Sequence, residues 1–208
     1  IDRVRQLAKN PQGFDKVRTF VGEAPCWIWG STHAEDEQLL LSFLKKTTLS
    51  GWKWIIAPHE VEEKKIAALC DKLPLPCIRY SQYPTEAALA ASVLVIDNIG
   101  MLSQLYQYGR LAYIGGGFGK GIHNTLEPMA FGLPVLFGPR YTKFEEAVQG
   151  VRRGASFSVE NTSQLAQIVA ALQQEASWNN ASRQAADFIA ENAGATERSM
   201  EEIRRFLK

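Results

Sequence analysis

A glycine-rich segment that leads into a short polar run offers the chain a place for phosphate chemistry. Five glycines fall within residues 115–121, with Lys120 among them, and residues 123–125 and then Glu127 follow. Glycine permits left-handed backbone angles and lets a ligand approach the main chain closely. A helix that begins after such a loop presents free N–H groups and the positive end of its dipole, which favour an anion.

A purely structural interpretation of the same residues stands beside this one. Asn124 lies three residues before Glu127, which is the spacing of a helix N-cap with a capping-box acid and needs no ligand. The density of glycine favours ligand binding, because a helix start alone does not require five glycines. The segment matches neither the dinucleotide fingerprint nor the P-loop, so we expect phosphate or nucleotide binding of another kind.

The three histidines of the chain are distributed in a way that suggests one site. His33, His59 and His123 each fall in a loop that follows a predicted strand. The carboxyl ends of parallel strands meet at one edge of a sheet, where ligands bind. A three-histidine metal site is an alternative, but no spacing in the sequence holds these loops at ligand distance and no helical histidine pair exists. We therefore expect no metal.

The elements that must position these loops alternate between strand and helix. Apolar runs of strand length occupy residues 25–30, 52–57, 76–80, 93–96, 111–114 and 135–137, with a weaker one at 155–159. Helical patterns follow them, among them 60–73, 101–108, 144–151 and a segment from 162 to the end with breaks near 177 and 194. Residues 86–91 form an alanine-rich segment. This order predicts an α/β fold, a Rossmann-like doubly wound parallel sheet of about six strands, in a single domain over residues 1–208.

Composition excludes several classes of function. Hydrophobic residues make up 46% and charged residues 22% of the 208 residues, and the net charge is +1, which gives no footprint for nucleic acid. The three cysteines are widely spaced and predict reduced core residues rather than a disulfide or a metal site. No apolar run approaches the roughly 18 residues of a membrane span, so we expect a soluble chain. The absence of an initial methionine suggests a piece of a longer protein.

Four loops together resemble a known family. The residues are GSTHAEDE at 30–37, Ala-Pro at 57–58, DNIGML at 97–102 and the GGG…HNTLEP run at 115–128. They are similar, in the same order, to the A/G-S-x-H-x-x-E-E, P-R-H, D-T-x-G-E-L and G-G-S…G-G-H-N-x-L-E motifs of the bacterial Kdo transferases. These glycosyltransferases move 3-deoxy-D-manno-octulosonic acid (Kdo) from CMP-Kdo onto lipid A precursors. The resemblance covers nearly the whole chain.

The resemblance implies the C-terminal half of a GT-B enzyme, which is inverting and needs no metal or other cofactor. This half would bind the donor CMP-Kdo. An N-terminal domain that is absent from this chain would hold the lipid A precursor, the membrane attachment and the catalytic base, so the chain alone is expected to be inactive. The whole protein would lie at the cytoplasmic face of the bacterial inner membrane.

The resemblance also assigns site residues. Contacts to the nucleotide are implied for Pro58, His59, Ile99, Gly100, Met101, Asn124, Thr125, Leu126 and Glu127. Contacts to phosphate or sugar are implied for Ser31, Gly116, Gly117, Lys120 and His123. The chain departs from the family pattern where His59 replaces an arginine, where Met101 replaces a glutamate, and in a glycine loop about two residues shorter. Lys120 would supply the cation that His59 does not.

Two other functions remain open from the residues alone. One is a GT-B glycosyltransferase or epimerase that uses a UDP-sugar, because Glu127 would serve any ribose. The other is a non-catalytic nucleotide-binding module.

Overall fold

The strands form one sheet and the helices cover both of its faces. A computed structural model describes residues 1–47, 49–83, 90–194, 200 and 203. The strands are β1 (Cys26–Thr32), β2 (Lys53–Pro58), β3 (Cys77–Arg79), β4 (Val93–Val95), β5 (Leu111–Ile114), β6 (Val135–Phe137) and β7 (Ser156–Ser158). The helices are α1 (Asp2–Lys9), α2 (Asp15–Val21), α3 (Ala34–Lys46), α4 (Glu63–Lys72), α5 (Leu102–Leu105), α6 (Leu126–Ala130), α7 (Glu145–Arg153), α8 (Thr162–Leu172) and α9 (Glu175–Glu191).

All neighbouring strands are parallel, and their order is β3-β4-β2-β1-β5-β6-β7. The chain leaves β1 toward β2 on one side and leaves β5 toward β6 on the other. Strand order therefore reverses between β1 and β5, and the crevice beyond their carboxyl ends is where ligands bind in doubly wound sheets. The predicted α/β class is confirmed, and the weak seventh strand is a full member of the sheet.

Alternation along β1 divides the core into two layers. Trp27 and Trp29 point to one face, where they join a cluster with Tyr113, while Cys26 and Ile28 point to the other. Trp29 stacks on its cross-strand neighbour Tyr113 with ring centroids 4.0 Å apart. Because both faces of the sheet are buried, strands β4, β5 and β6 are continuous apolar runs rather than alternating ones, whereas the edge strands β3 and β7 include polar residues.

Several element boundaries differ from those that the sequence predicts. Helix α4 begins at Glu63 rather than at residue 60, because Glu62 is still extended. The predicted helix 101–108 is one α-helical turn followed by the 3₁₀ turn Tyr106–Tyr108. The C-terminal helical region breaks at residues 173–174, where Gln174 is extended, and not near 177. Most of the alanine-rich segment 86–91 lies outside the described residues.

The three cysteines are free thiols, as the sequence predicts. No helix of the described part of the chain combines the length and the apolar character that crossing a bilayer demands.

Candidate functional site

Asp36 in the first turn of α3 connects three parts of the crevice. Its Oδ2 accepts the backbone N–H of His33 at 2.9 Å and that of Gly116 at 2.8 Å, and its Oδ1 accepts the Tyr113 hydroxyl at 2.8 Å. The residue is 1% exposed. Burial, followed by the adjacent carboxylate, raises the pKa of Tyr113 far above its ordinary value, so this hydroxyl remains a donor. One buried carboxylate therefore fixes the start of α3 and the glycine loop to each other.

The three histidines meet at the mouth of this crevice. Nε2 of His33 lies 3.0 Å from Nε2 of His123, and the two rings are nearly parallel. The His59 ring centroid lies 4.5 Å from that of His33 and 4.6 Å from that of His123. No spacing in the sequence predicts that these loops approach to ligand distance. The fold brings them together because β1 lies between β2 and β5 in the sheet.

His123 is held as a neutral imidazole. Burial lowers its pKa below the ordinary value, the imidazoles of His59 and His33 lower it further, and the Asp36 carboxylate opposes them. At neutral pH such a ring offers one nitrogen lone pair and one N–H. It can therefore accept, donate or bind a metal.

Close packing requires every glycine of the loop except Gly119, which weakens the argument from their density. A Cβ on Gly115 would collide with the Ser31 carbonyl, and a Cβ on Gly117 would lie 2.5 Å from the backbone nitrogen of Gly138. Gly116 also has a φ of 91°. Each of these glycines has a structural reason that needs no ligand, although the same contacts pack the loop against the end of β1.

Ser31 carries the backbone strain of the site. Its φ of 53° is the one positive value among the described residues other than glycine, and it sits at an irregularity in the β1–β2 pairing between Gly30 and Thr32. Non-glycine residues in this region cost about 1–3 kcal/mol and cluster at ligand sites. The strain turns the chain from β1 toward Gly115 and brings Ser31 beside the glycine loop.

Asn124 and Glu127 form a local pair at the start of α6. Asn124 Nδ2 donates to Glu127 Oε1 at 3.1 Å, and Asn124 Oδ1 accepts the N–H of Leu126 at 3.0 Å. The N-cap of α6 is Thr125, which makes no side-chain cap bond, so the capping box predicted for Asn124 and Glu127 does not form, although Asn124 still bonds to the first turn. Burial raises the pKa of Glu127 above its ordinary value, and Asn124 opposes this. The Thr125 hydroxyl oxygen is buried without a hydrogen-bond partner in the described part of the chain. Because α6 is five residues long, its dipole contributes little to an anion site.

The residues predicted to face the base lie on neighbouring strands. Pro58 ends β2 and His59 follows it, while Ile99, Gly100 and Met101 lie in the loop after β4, which pairs with β2. The Ile99 side chain is 88% exposed and Met101 is buried. Gly100 has a φ of 95°, so this turn suits glycine. The loop thus presents exposed residues at 98–100, after the strand that pairs with β2.

A cavity of about 410 Å³ opens beside the histidines, between α3 and α4. Its walls include His33, His59, Glu35, Glu37 and Glu60. Burial raises the pKa of Glu37, whose carboxylate accepts the Thr32 hydroxyl at 3.2 Å.

Two contributors to the site escape sequence reasoning. Asp36 is one of three successive acids at the start of α3, and this pattern suggests only helix-dipole compensation. The capping-box spacing of Thr32 and Glu35 predicts the N-cap at Thr32, whereas the N-cap in the structure is His33. Arg140, after β6, donates from Nη1 to the Gly119 carbonyl at 2.8 Å and from its backbone N–H to the Gly117 carbonyl at 2.8 Å. No local motif marks it. Lys120 is exposed and belongs to none of the ion pairs found among the described residues.

Comparison with known proteins places this fold and site. No protein-family model matches the chain. It is 33% identical over 144 residues to the 3-deoxy-D-manno-octulosonic acid transferase of Aquifex aeolicus, covering 66% of this chain and 39% of that protein. It is 35% identical over 126 residues to the enzyme of the same name from Chlamydia pneumoniae, covering 59% and 28%. Among solved structures, the C-terminal CMP-Kdo binding domain of WaaA from Acinetobacter baumannii aligns with a TM-score of 0.73 at 24% identity, covering 90% of this chain and 98% of that one.

The seven-stranded parallel sheet with its crevice between β1 and β5 has the fold of the C-terminal domains of GT-B glycosyltransferases. Within that class of fold, the chain is similar in sequence to the Kdo transferases of these two organisms, and it aligns in structure with the C-terminal domain of WaaA. It spans well under half the length of either curated relative.

Proposed function

We propose that this chain is the donor-binding domain of an inverting glycosyltransferase that moves Kdo from CMP-Kdo to a lipid A precursor in lipopolysaccharide biosynthesis. The observation that carries the proposal is that His33 and His123, which match the family motifs, meet at the crevice between β1 and β5 with their Nε2 atoms 3.0 Å apart. Glu127, which also matches a family motif, lies in the segment that follows β5. The sequence relationship to the Kdo transferases supports the choice of sugar. The alternative of a non-catalytic module loses support from the same relationship.

The nucleotide would lie across the crevice. Glu127 would accept hydrogen bonds from the ribose hydroxyls through Oε2, since Asn124 occupies its other oxygen. The backbone of Ile99, Gly100 and Met101 would read the edge of the cytosine beside Pro58 and His59. Burial removes hydrogen bonds between a carboxylate and water, and two ribose hydroxyls that donate to Glu127 would replace them.

Transfer requires that charge on the departing phosphate be stabilised as the glycosidic bond breaks. His123 can donate a hydrogen bond to the phosphate, and Lys120 and Arg140 place positive charge along the glycine loop near Gly116 and Gly117. Donors aimed at developing charge lower the barrier more than they strengthen ground-state binding. We propose that this step uses no metal cofactor.

The remaining parts of the reaction lie outside this chain. We assign no general base to the residues of this chain. We propose that a further domain of the whole protein supplies the base, the lipid A precursor site and the attachment to the cytoplasmic face of the bacterial inner membrane. Nucleic acid is not a partner on this proposal. Ser31, turned toward the crevice, would bind the carboxylate of the Kdo sugar.

Calorimetric titration of the chain with CMP and, separately, with UMP tests the proposal. We expect CMP to bind at least about tenfold more tightly than UMP, a difference of about 1.4 kcal/mol, because the two bases exchange a donor for an acceptor at their pairing edge. Preference for UMP would assign the site to a UDP-sugar enzyme. Binding of neither would refute a donor site formed by this chain alone.

A further inference from the structure

We propose that His33, His59 and His123 form a binding site for one divalent transition-metal ion of the Zn²⁺ type. One ring nitrogen from each histidine lies within 4.8 Å of the other two. A Zn–N bond of about 2.0–2.1 Å places two nitrogens of a tetrahedral site roughly 3.3 Å apart. The His33 and His123 nitrogens, 3.0 Å apart, already have nearly this spacing. His59 is the most exposed of the three and needs the largest adjustment.

Hydrogen bonds of the backbone N–H groups hold the main chain in place at each of the three histidines. The His33 N–H is bound by Asp36, the His59 N–H donates to the Thr32 carbonyl at 2.9 Å, and the His123 N–H donates to the Gly115 carbonyl at 3.2 Å. Since the main chain is fixed at all three positions, closing the site around an ion requires only side-chain rotation. A preorganised site binds with a smaller entropy cost.

The surroundings favour a cation. The adjoining cavity carries three carboxylates against two ammonium groups, and the latter include Lys65, which is paired with Glu60 and Glu62. Asp36 adds buried negative charge behind His33. Imidazole ligands select Zn²⁺, Cu²⁺ or Ni²⁺ over Mg²⁺ or Ca²⁺, which prefer oxygen.

The ligand set indicates an open site rather than a closed structural one. Three protein ligands leave the fourth tetrahedral position to water or to an incoming anionic oxygen. His33 and His59 both line the 410 Å³ cavity, so an ion at the cluster would lie next to space that a fourth ligand could occupy. The ion is not required by the transfer step proposed above, so nucleotide binding in the presence of EDTA tests the two proposals separately.

The experiment uses the untagged chain, stripped with EDTA and then dialysed, because a histidine tag would itself bind metal. Titration with Zn²⁺ by calorimetry should give one ion bound per chain. Addition of Co²⁺ should give the visible absorption bands of a four-coordinate site with nitrogen ligands. Mg²⁺ should give no signal. His59→Gln, at the exposed ligand, should lower Zn²⁺ affinity by at least about 10–100-fold while the melting curve confirms that the variant is folded.

A matched control removes the competing thiols. Cys70→Ser combined with Cys77→Ser should leave Zn²⁺ affinity unchanged, because neither residue reaches the histidine cluster. Absence of stoichiometric binding, an affinity that His59→Gln does not change, or loss of binding in the cysteine double variant would each overturn the metal site. CMP binding in EDTA together with no Zn²⁺ binding would refute the metal site and leave the donor site intact. Zn²⁺ binding together with no CMP binding would refute the donor site and leave the metal site intact.

Discussion

Replacing Asp36 with alanine should lower the free energy of unfolding more than any other single change of a charged residue at the crevice. The substitution removes the acceptor from two buried donors, the Tyr113 hydroxyl and the Gly116 N–H. A buried donor left without a partner costs about 1–3 kcal/mol, so the two together cost about 2–6 kcal/mol. The N–H of His33 is only partly buried and can turn to water. Because a domain has about 5–15 kcal/mol of stability in total, the loss is large.

Two variants separate hydrogen bonding from charge. Asp36→Asn retains an oxygen for the two backbone N–H groups and presents its amide to the Tyr113 hydroxyl, which can rotate to accept, so we expect a loss of about 1–2 kcal/mol. Tyr113→Phe removes only the hydroxyl and should cost about 1.5–3 kcal/mol, the range for a bond to a charged group.

Urea unfolding followed by circular dichroism gives the free energy of unfolding of each variant. The order of destabilisation should be alanine greater than asparagine at position 36. A loss below about 1 kcal/mol for Asp36→Ala would show that water satisfies these donors and would refute the role assigned to the carboxylate. Equal losses of unfolding free energy for Asp36→Ala and Asp36→Asn would show that the charge of the carboxylate, and not its hydrogen bonds, connects α3 to the glycine loop.

Two further changes test the loop and the ribose contact. Gly115→Ala should lower the free energy of unfolding by about 1–3 kcal/mol, because the new methyl group would overlap with the Ser31 carbonyl. Gly119→Ala is the control: its methyl group would have its nearest neighbour at 3.6 Å, so the urea midpoint should not change. Equal midpoints for the two variants would contradict the packing argument. Glu127→Gln should weaken CMP binding in calorimetry and leave stability at pH 7 equal or higher. The pKa of Glu127 is raised in the folded chain above its ordinary value of 4.5. Between pH 4.5 and the folded-state pKa, the folded chain therefore binds more protons than the unfolded chain, so the free energy of unfolding falls as the pH rises through this range. The variant should lack this fall, and a loss of about 1 kcal/mol or more with intact CMP binding would instead support a capping role.

The strand and helix pattern follows from local sequence because both faces of this sheet are buried. Runs such as 111–114 and 135–137 are apolar throughout and bounded by glycine or proline, so their extent was predictable. Helix ends were less so. The start of α3 shifted by one residue because Thr32 extends β1 and leaves His33 to cap the helix. A cap depends on where the preceding strand stops, and that is set by pairing with β2.

The site could be predicted only as a set of loops. The rule that ligands bind at the carboxyl ends of parallel strands brings His33, His59 and His123 to one edge, but it gives no distances. Their approach depends on β1 lying between β2 and β5, which is a property of strand order. Asp36 could not be identified, because its partners Tyr113 and Gly116 lie about eighty residues away in the chain.

The contact between the glycine loop and the segment after β6 has a consequence for how a ligand would bind. Gly117 and Gly138 touch backbone to backbone, and Arg140 ties both its main chain and its guanidinium to the loop. A glycine-rich loop is usually the part of a site that must be ordered when the ligand arrives. Here that ordering is already complete in the folded chain, so association at this loop spends little conformational entropy and its rate depends on access rather than on rearrangement.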